Sequence, residues 1–261
     1  MAVIFMAVLT LFVAACANTN PAAYHVTLET IRVQLPSGAA DVDVYWPNYT
    51  TKAPLVIVAH GFSRDRKNMS GWGQHLASEG FVAIVPDLPA LADNIHNGRF
   101  ISELRAHLLG DESLNKRIDP TKVGLVGFSA GGLSSLLSAA NSPDLAVWIG
   151  LDPVDRNSLG VKAAAMLKAR AVILTAEPST CNAYGNALDI VSALPRPEHF
   201  SINGAVHVDA EWPTSWLAEL FCGRSTAKNR SEFQERATKA LKETFALPAD
   251  QKTKHPVITE H

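Results

Sequence analysis

The sequence lacks clusters of basic residues. Its 23 lysines and arginines are balanced by 25 aspartates and glutamates, which gives a formal net charge of −2. Lysine and arginine are also spread along the chain and form no stripe. Because a protein that binds nucleic acid presents clustered positive charge, we expect no nucleic-acid partner.

Linkers, repeats and metal-binding motifs are missing as well. No tract rich in proline, glycine or serine divides the 261 residues, and no cysteine or histidine pattern has the spacing of metal ligands. The hydrophobic fraction of 47% is ample for a buried core. We therefore predict one domain over residues 21–261, which acts as a monomer without metal or organic cofactor.

Positive charge is also absent from the N-terminus. No lysine or arginine precedes Arg32, and residues 2–15 are apolar apart from Thr10. This run is shorter than the ~20 residues of a membrane-spanning helix, so it predicts a signal segment over residues 1–20. Residues 13–16 resemble the bacterial lipobox, in which the cysteine, here Cys16, carries lipid. We expect an exported protein, either anchored in the bacterial cell envelope through Cys16, periplasmic or secreted; a buried N-terminal strand is the alternative.

Cysteine is scarce, with three residues in the whole chain. If Cys16 is lipidated, Cys181 and Cys222 remain as an even pair. An oxidising compartment would allow these two to form a disulfide. We predict that bond, and two buried free thiols are the alternative.

Apolar runs alternate with helical patterns along most of the chain. Residues 24–35 and 42–46 alternate between apolar and polar, which predicts two antiparallel strands joined by a turn at 36–38. The last helix is predicted over 231–245, opened by the capping pair Ser231 and Gln234. Uninterrupted apolar runs predict buried parallel strands at 54–59, 81–85, 123–126, 146–151, 171–175 and around 200–202. The fold class is therefore α/β, a mostly parallel, doubly wound sheet with helices on both faces and antiparallel N-terminal strands.

A serine between glycines stands at one predicted strand-to-helix turn. Residues 127–132 read GFSAGG and follow the apolar run 123–126. A serine in this pattern is typical of a nucleophile elbow, in which glycine avoids a collision where strand and helix nearly touch. The first amides of the new helix then face any negative charge that develops beside the hydroxyl. We predict that Ser129 is a catalytic nucleophile.

A serine nucleophile needs a histidine base. In this kind of fold the residues follow the order serine, acid, histidine, and they gather at the carboxyl ends of parallel strands. His207 lies in a loop after the strand around 200–202 and fits both conditions. His199 also follows the serine, but it stands at the start of its strand, at the opposite end.

The acid has more than one candidate. Asp152 directly follows the apolar run 147–151. Glu177 follows the next run, 171–175, after Ala176. We favour Asp152, with Glu177 as the alternative and Asp155 as a third choice. Whichever residue is not the acid is expected to cap a helix or fix a turn.

The second oxyanion donor is expected from the loop after the strand at 54–59. The backbone amides of Phe62 and Ala130 would then flank the carbonyl oxygen of a bound ester. His60 is expected to support this loop through hydrogen bonds rather than to act as a base. Asp87 is expected to have a structural role at the end of its strand.

Three segments carry a resemblance to the α/β-hydrolases. Residues 60–62 (HGF), 127–132 (GFSAGG) and 151–154 (LDPV) are similar to those of the chlorophyllase and platelet-activating-factor acetylhydrolase-like branch, and the likeness covers roughly residues 54–212. In that branch the acid follows the strand after the nucleophile helix, which supports Asp152. Polyester-hydrolase relatives use the later position, here Glu177.

The resemblance implies a serine-dependent carboxylic ester hydrolase that acts on a small-molecule or lipid ester through an acyl-enzyme. Phe128 and Ala130 stand where plant chlorophyllases have histidine and arginine, so chlorophyll is not the expected substrate. An amidase or thioesterase would use the same triad. A non-catalytic binding protein on a hydrolase fold is the alternative from a different class.

Overall fold

Residues 24–48 and 52–247 are described by the computed structural model. Among these residues the chain alternates between eight strands and seven α-helices. The strands are β1 (Val26–Leu35), β2 (Gly38–Pro47), β3 (Ala53–Ala59), β4 (Val82–Pro86), β5 (Ile118–Phe128), β6 (Val147–Leu151), β7 (Arg170–Thr175) and β8 (Pro197–Ser201). The helices are α1 (Ser70–Ser78), α2 (Asn94–Gly110), α3 (Ala130–Ala140), α4 (Leu159–Met166), α5 (Ala187–Ala193), α6 (Trp216–Cys222) and α7 (Ala227–Thr244).

The strands form one sheet in the order β1-β2-β4-β3-β5-β6-β7-β8. β2 is antiparallel to both β1 and β4, and every other neighbouring pair is parallel. Since parallel neighbours need a crossover connection, helices link the strands from β3 onwards. The predicted fold class, including its antiparallel N-terminal strands, is confirmed.

Helices cover both faces of the sheet. Successive side chains of a strand point to opposite faces, and in β3 this alternation divides Leu55 and Ile57 from Val56 and Val58. The first pair packs in a cluster with apolar residues of α2, α3, α4 and α5. The second pair packs with residues of α1 and α7. All of these strand residues are buried, which explains their uninterrupted apolar runs.

The boundaries of several elements differ from those predicted. β2 begins at Gly38 and not at residue 42, and β8 (Pro197–Ser201), predicted as a buried strand, has no buried residue because it lies at the edge of the sheet. β5 begins at Ile118, because residues 119–122 form an irregularity in the strand where the pairing with β3 shifts register. α7 begins at Ala227, four residues before the predicted start, and Ser231 lies inside it. The Thr226 hydroxyl caps the helix, and the Thr226 amide donates to Asp209 over 2.6 Å. A contact distant in sequence therefore holds this start.

A disulfide joins Cys181 to Cys222, with their Cα atoms 5.6 Å apart. This confirms the predicted pair. Cys16 and the predicted signal segment over 1–20 lie outside the described residues. Among the residues that the structure describes, no helix combines the length and apolar character needed to cross a membrane.

Candidate active site

Ser129 occupies the tight turn between β5 and α3. Its backbone has φ 53° and ψ −123°, a conformation that residues other than glycine rarely adopt. Two hydrogen bonds hold it against the end of β6: the Ser129 amide donates to the Leu151 carbonyl over 3.1 Å, and the Val154 amide donates to the Ser129 carbonyl over 3.2 Å. The fold therefore stabilises a strained backbone at this serine, as it does at many functional sites.

The glycines on either side of Ser129 leave no room for a side chain. A Cβ atom on Gly127 would lie 2.3 Å from Ser135 Oγ and 2.4 Å from the Gly131 carbonyl oxygen. A Cβ atom on Gly131 would lie 2.2 Å from the His60 carbonyl oxygen. These contacts show the close approach of strand and helix that the glycine pattern predicts.

A continuous chain of hydrogen bonds joins Ser129, His207 and Asp152. His207 Nε2 lies 3.0 Å from Ser129 Oγ, and His207 Nδ1 lies 2.6 Å from Asp152 Oδ2. A neutral imidazole with its proton on Nδ1 donates to the carboxylate and accepts from the hydroxyl. The Phe128 ring packs against the imidazole with a centroid distance of 4.8 Å. All three polar side chains are buried.

Asp152 is wholly buried and receives three hydrogen bonds. Its Oδ1 accepts from the Ala176 amide over 3.1 Å, while Oδ2 accepts from Asn182 Nδ2 over 3.0 Å and from His207. Its own amide donates to the Leu174 carbonyl of β7 over 2.7 Å. The carboxylate is thereby compensated for the loss of water, as a buried charge must be.

The other candidates for acid and base lie elsewhere. Glu177 is exposed and accepts from the Gly204 amide over 3.1 Å. Asp155 accepts from amides at the start of α4, including that of Gly160 over 2.7 Å. His199 is the central residue of β8 and does not stand at its start as predicted; it shares a hydrogen bond with Thr175 of β7, and burial lowers its pKa. None of the three is hydrogen-bonded to His207.

The amides of Phe62 and Ala130 donate to no other described residue. The loop that carries Phe62 packs against Ser129, since a Cβ atom on Gly61 would lie 3.2 Å from Ser129 Cβ. Ala130 follows Ser129 directly at the first position of α3. Two residues whose amides have no partner among the described residues therefore line one cleft, where the amides are available to a ligand.

His60 holds the loop that carries Phe62. Its Nδ1–H donates to the Gly61 carbonyl over 2.9 Å, and its Nε2 accepts from the Leu88 amide over 2.9 Å. Burial lowers the pKa of His60 and outweighs the Gly61 hydrogen bond, which raises it. The neutral ring is the form that satisfies both partners. Asp87 accepts from the backbone and guanidinium of Arg66, which is a structural contact.

A cleft of about 250 Å³ is lined by Phe62 and by Ala130, the residue that follows Ser129, while Ser129 and His207 themselves do not line it. Its lining includes the apolar side chains of Phe62, Leu88 and Leu91 together with Asn94 and Ala130. Trp72 and Trp148, by contrast, are fully buried in the core. No three histidine, cysteine, aspartate or glutamate side chains in the described ranges cluster as they would around a metal ion.

Comparison with protein families identifies the chain. The model of the family described as PET hydrolase-like matches residues 14–220. The chain belongs to this family. The predicted membership of the α/β-hydrolase superfamily is thereby confirmed. The resemblance to polyester hydrolases alone would favour Glu177 as the acid, whereas in this structure Asp152 is the carboxylate that is hydrogen-bonded to His207.

Curated relatives of this PET hydrolase-like chain include a bis(hydroxyethyl) terephthalate hydrolase and several cutinases. It is 32% identical over 113 residues to a bis(hydroxyethyl) terephthalate hydrolase of Streptomyces coelicolor, which covers 42% of this chain and 36% of that protein. It is 27% identical over 113 residues to cutinase est1 of Thermobifida alba, covering 42% and 38%. It is 26% identical over 140 residues to cutinase 1 of Thermobifida cellulosilytica, covering 52% and 53%. The alignments thus span roughly a third to a half of these relatives.

Two side chains that the sequence does not single out join the loops of this PET hydrolase-like site. Arg64 Nε donates to Glu211 Oε2 over 2.5 Å, although 147 residues separate them. Glu211 is wholly buried, and burial raises the pKa of its carboxyl while the Arg64 guanidinium opposes that shift. The pair links the loop of Phe62 to the loop of His207. No local sequence pattern marks this ion pair, because its two residues are 147 positions apart in the chain.

Asp209 stabilises the turn that carries His207. Its carboxylate accepts from the Val206 amide over 2.8 Å and from the Thr226 amide over 2.6 Å. It also accepts from Asn229 Nδ2 over 3.1 Å. An aspartate two residues after a loop histidine is a recognisable signal, because aspartate often bonds nearby backbone amides.

Proposed function

We propose that the protein is a serine-dependent carboxylic ester hydrolase that acts through an acyl-enzyme. The observation that carries the proposal is the chain of hydrogen bonds from Ser129 through His207 to Asp152. Ser129 is the nucleophile, His207 the general base and acid, and Asp152 the residue that orients His207 and stabilises it when charged. The amides of Phe62 and Ala130 form the oxyanion hole.

The reaction proceeds in two halves. Ser129 Oγ attacks the ester carbonyl carbon while its proton passes to His207 Nε2, and the two amides stabilise the resulting oxyanion. The tetrahedral intermediate collapses, the alcohol leaves with the proton from His207, and an acyl-serine remains. Water, deprotonated by His207, then attacks the acyl group and releases the acid and the free Ser129.

The cleft supports a substrate with one apolar arm. Leu88 and Leu91 line the same cleft as Phe62 and Ala130, so an ester whose carbonyl oxygen binds the two amides can place one apolar side against these leucines. The names of the relatives, cutinases and a bis(hydroxyethyl) terephthalate hydrolase, support carboxylic esters as the class. We propose bis(hydroxyethyl) terephthalate as the first substrate to assay.

Labelling with an organophosphonate, followed by peptide mapping, tests the nucleophile. We expect one adduct at Ser129 and a loss of esterase activity of at least about 1000-fold in Ser129→Ala. Asp152→Asn should lower kcat by roughly 10⁴-fold, because the amide favours the wrong tautomer of His207. Glu177→Gln is the matched control and should stay close to wild type. An unlabelled Ser129, or full activity in Asp152→Asn, would overturn the proposal.

We further propose export, a lipid anchor at Cys16 and a monomeric state. The Cys181–Cys222 disulfide supports an oxidising compartment. Metabolic labelling with a fatty acid should mark the wild type and leave Cys16→Ala unmarked. Equal labelling of both proteins would exclude lipid at this cysteine, and sedimentation of the purified domain checks the monomer.

A further inference from the structure

The side chain of Asn182 is buried beside Asp152, and both its nitrogen and its oxygen have hydrogen-bond partners. Its Nδ2 donates to Asp152 Oδ2 over 3.0 Å and to the Glu177 carbonyl over 2.9 Å. Its Oδ1 accepts from the amides of Ser179 and Gly185 over 2.8 and 3.1 Å. Turning the amide over would set donor against donor and acceptor against acceptor, so these partners fix one orientation.

We propose that Asn182 is a positioning residue for the catalytic carboxylate, and that the Cys181–Cys222 disulfide keeps it in place. The inference rests on the proposed function, because Asn182 acts only through Asp152. Asp152 Oδ2 lies between two donors, His207 Nδ1 and Asn182 Nδ2. The amide therefore holds the same oxygen that orients the imidazole.

Asp152 depends on this donor because water does not reach it. The carboxylate is wholly buried, and Asn182 is 1% exposed. Without the amide, Oδ2 keeps only the His207 donor, and the carboxylate is less restrained about its Cβ–Cγ bond. His207 is then aligned with Ser129 for a smaller fraction of the time. Because neither buried side chain lies in the cleft, the loss should affect kcat more than KM.

The disulfide connects Asn182 to the loop of the base. Cys181 directly precedes Asn182 in a short 3-10 helix, Thr180–Asn182, and Cys222 ends α6. The bond closes a ring between residues 41 positions apart, and this ring contains both Asn182 and His207. It also secures α6, whose only buried residue is Ala218.

The segment after Asn182 needs such support. Ala183 and Tyr184 both have a left-handed backbone, with φ 50° and 57°. Two successive residues other than glycine rarely adopt it. The Asn182 side chain, the Tyr184 amide, which donates to the Ser179 carbonyl over 2.7 Å, and the neighbouring disulfide hold this turn at its start. Opening the disulfide removes one of these contacts and should loosen the hold of Asn182 on Asp152.

Steady-state kinetics of Asn182→Ala test the positioning role. We expect kcat to fall roughly 10-fold, the effect of one hydrogen bond to a charged group, with KM within about twofold of wild type. Asn186→Ala is the matched control, because Asn186 bonds only the backbone of Asp155. It should keep the wild-type kcat. An unchanged kcat in Asn182→Ala, or a loss confined to KM, would overturn the proposal.

A double-mutant cycle tests the link to the disulfide. We expect Cys181→Ser/Cys222→Ser to lower kcat roughly 10-fold in the wild-type background and to add less than about twofold in Asn182→Ala. Losses that simply multiply would show that the disulfide does not act through Asn182. Reduction of folded wild-type protein with dithiothreitol gives the same comparison without any substitution, in case a variant fails to fold.

Phosphonate labelling separates the two possible failures. If the wild type is not labelled at Ser129, the proposed function has failed and the role of Asn182 fails with it. If Ser129 is labelled and Asn182→Ala turns over at the wild-type rate, only the inference about Asn182 is wrong.

Discussion

At the residue scale, the glycines around Ser129 and the candidate acids differ in how far the sequence determines them. The glycine pattern reflects a local collision that any nucleophile elbow must avoid, so it predicts Ser129 directly. Asp152 and Glu177 both follow apolar strands, and the sequence favours Asp152 but keeps Glu177 as an alternative. The structure decides which carboxylate bonds His207, because that depends on loop paths and not on strand order.

Gly131 should tolerate no larger residue. A Cβ atom there would lie 2.2 Å from the His60 carbonyl oxygen and 2.6 Å from that of Ala59, and backbone atoms cannot move aside cheaply. We expect Gly131→Ala to lower the free energy of unfolding by about 1–3 kcal/mol or more and to reduce esterase activity. Gly110→Ala, which meets no atom within 4 Å, is the control and should be neutral or stabilising in urea unfolding. Equal stability of the two variants would contradict the packing described for the elbow.

His60 should make the protein less stable in acid. Its pKa is lowered by burial, so below about pH 6.5 the unfolded chain binds a proton that the folded chain resists. Stability is therefore fully present above the unfolded pKa and is lost as the pH falls towards the folded pKa. Protonation of Nε2 would also oppose the Leu88 amide.

Urea unfolding of wild type and His60→Gln between pH 7.5 and 5.5 checks this dependence. The wild type should lose more stability on acidification than the variant does. His25→Gln, at an exposed position, should follow the wild type. A variant as acid-sensitive as the wild type would show that another group is responsible.

At the scale of elements, apolar runs predict the parallel strands because both faces of the sheet are covered. Element boundaries are less well determined. Residues 119–122 have the composition of a turn, yet they lie within β5, where Asp119 accepts from the Thr121 amide over 3.0 Å. The start of α7 depends on Asp209, which the sequence around the helix does not reveal.

Thr226 and Ser231 offer a direct comparison of the observed and the predicted cap of α7. The Thr226 hydroxyl accepts from the Asn229 amide over 3.2 Å, while Ser231 is exposed within the helix. Thr226→Ala should cost about 1 kcal/mol of unfolding free energy, and Ser231→Ala should change it by less than about 0.5 kcal/mol. Thermal unfolding measures both losses. A larger loss in Ser231→Ala than in Thr226→Ala would contradict the observed start of α7 and favour the predicted start at residue 231.

At the scale of the whole molecule, strand order assembles the site. β5, β6, β7 and β8 are neighbours, and the segments that follow them carry Ser129, Asp152, Asn182 and His207 in turn. Parallel strands place all of these segments at one edge, which is why the order of motifs in the sequence is informative. The bonds across that edge, such as Asn182 to Asp152, depend on side-chain positions that no local pattern encodes.

The disulfide should contribute to global stability as well as to the site. Closing a loop with a sequence separation of 41 residues lowers the entropy of the unfolded chain, which raises the free energy of unfolding by roughly 3 to 4 kcal/mol. We expect Cys181→Ser/Cys222→Ser to lower the free energy of unfolding by that amount and to have a lower urea midpoint. Dithiothreitol should lower the stability of the wild type and leave the double variant unchanged. Equal midpoints for wild type and variant would mean that the bond adds strain equal to its benefit.

The covalent ring from residue 181 to residue 222 has a topological consequence. A protease that cuts one peptide bond within it produces two fragments that stay attached through sulfur, and the piece bearing His207 cannot diffuse away. A singly nicked chain should therefore migrate as one species on a denaturing gel and separate into two only when a reductant is added.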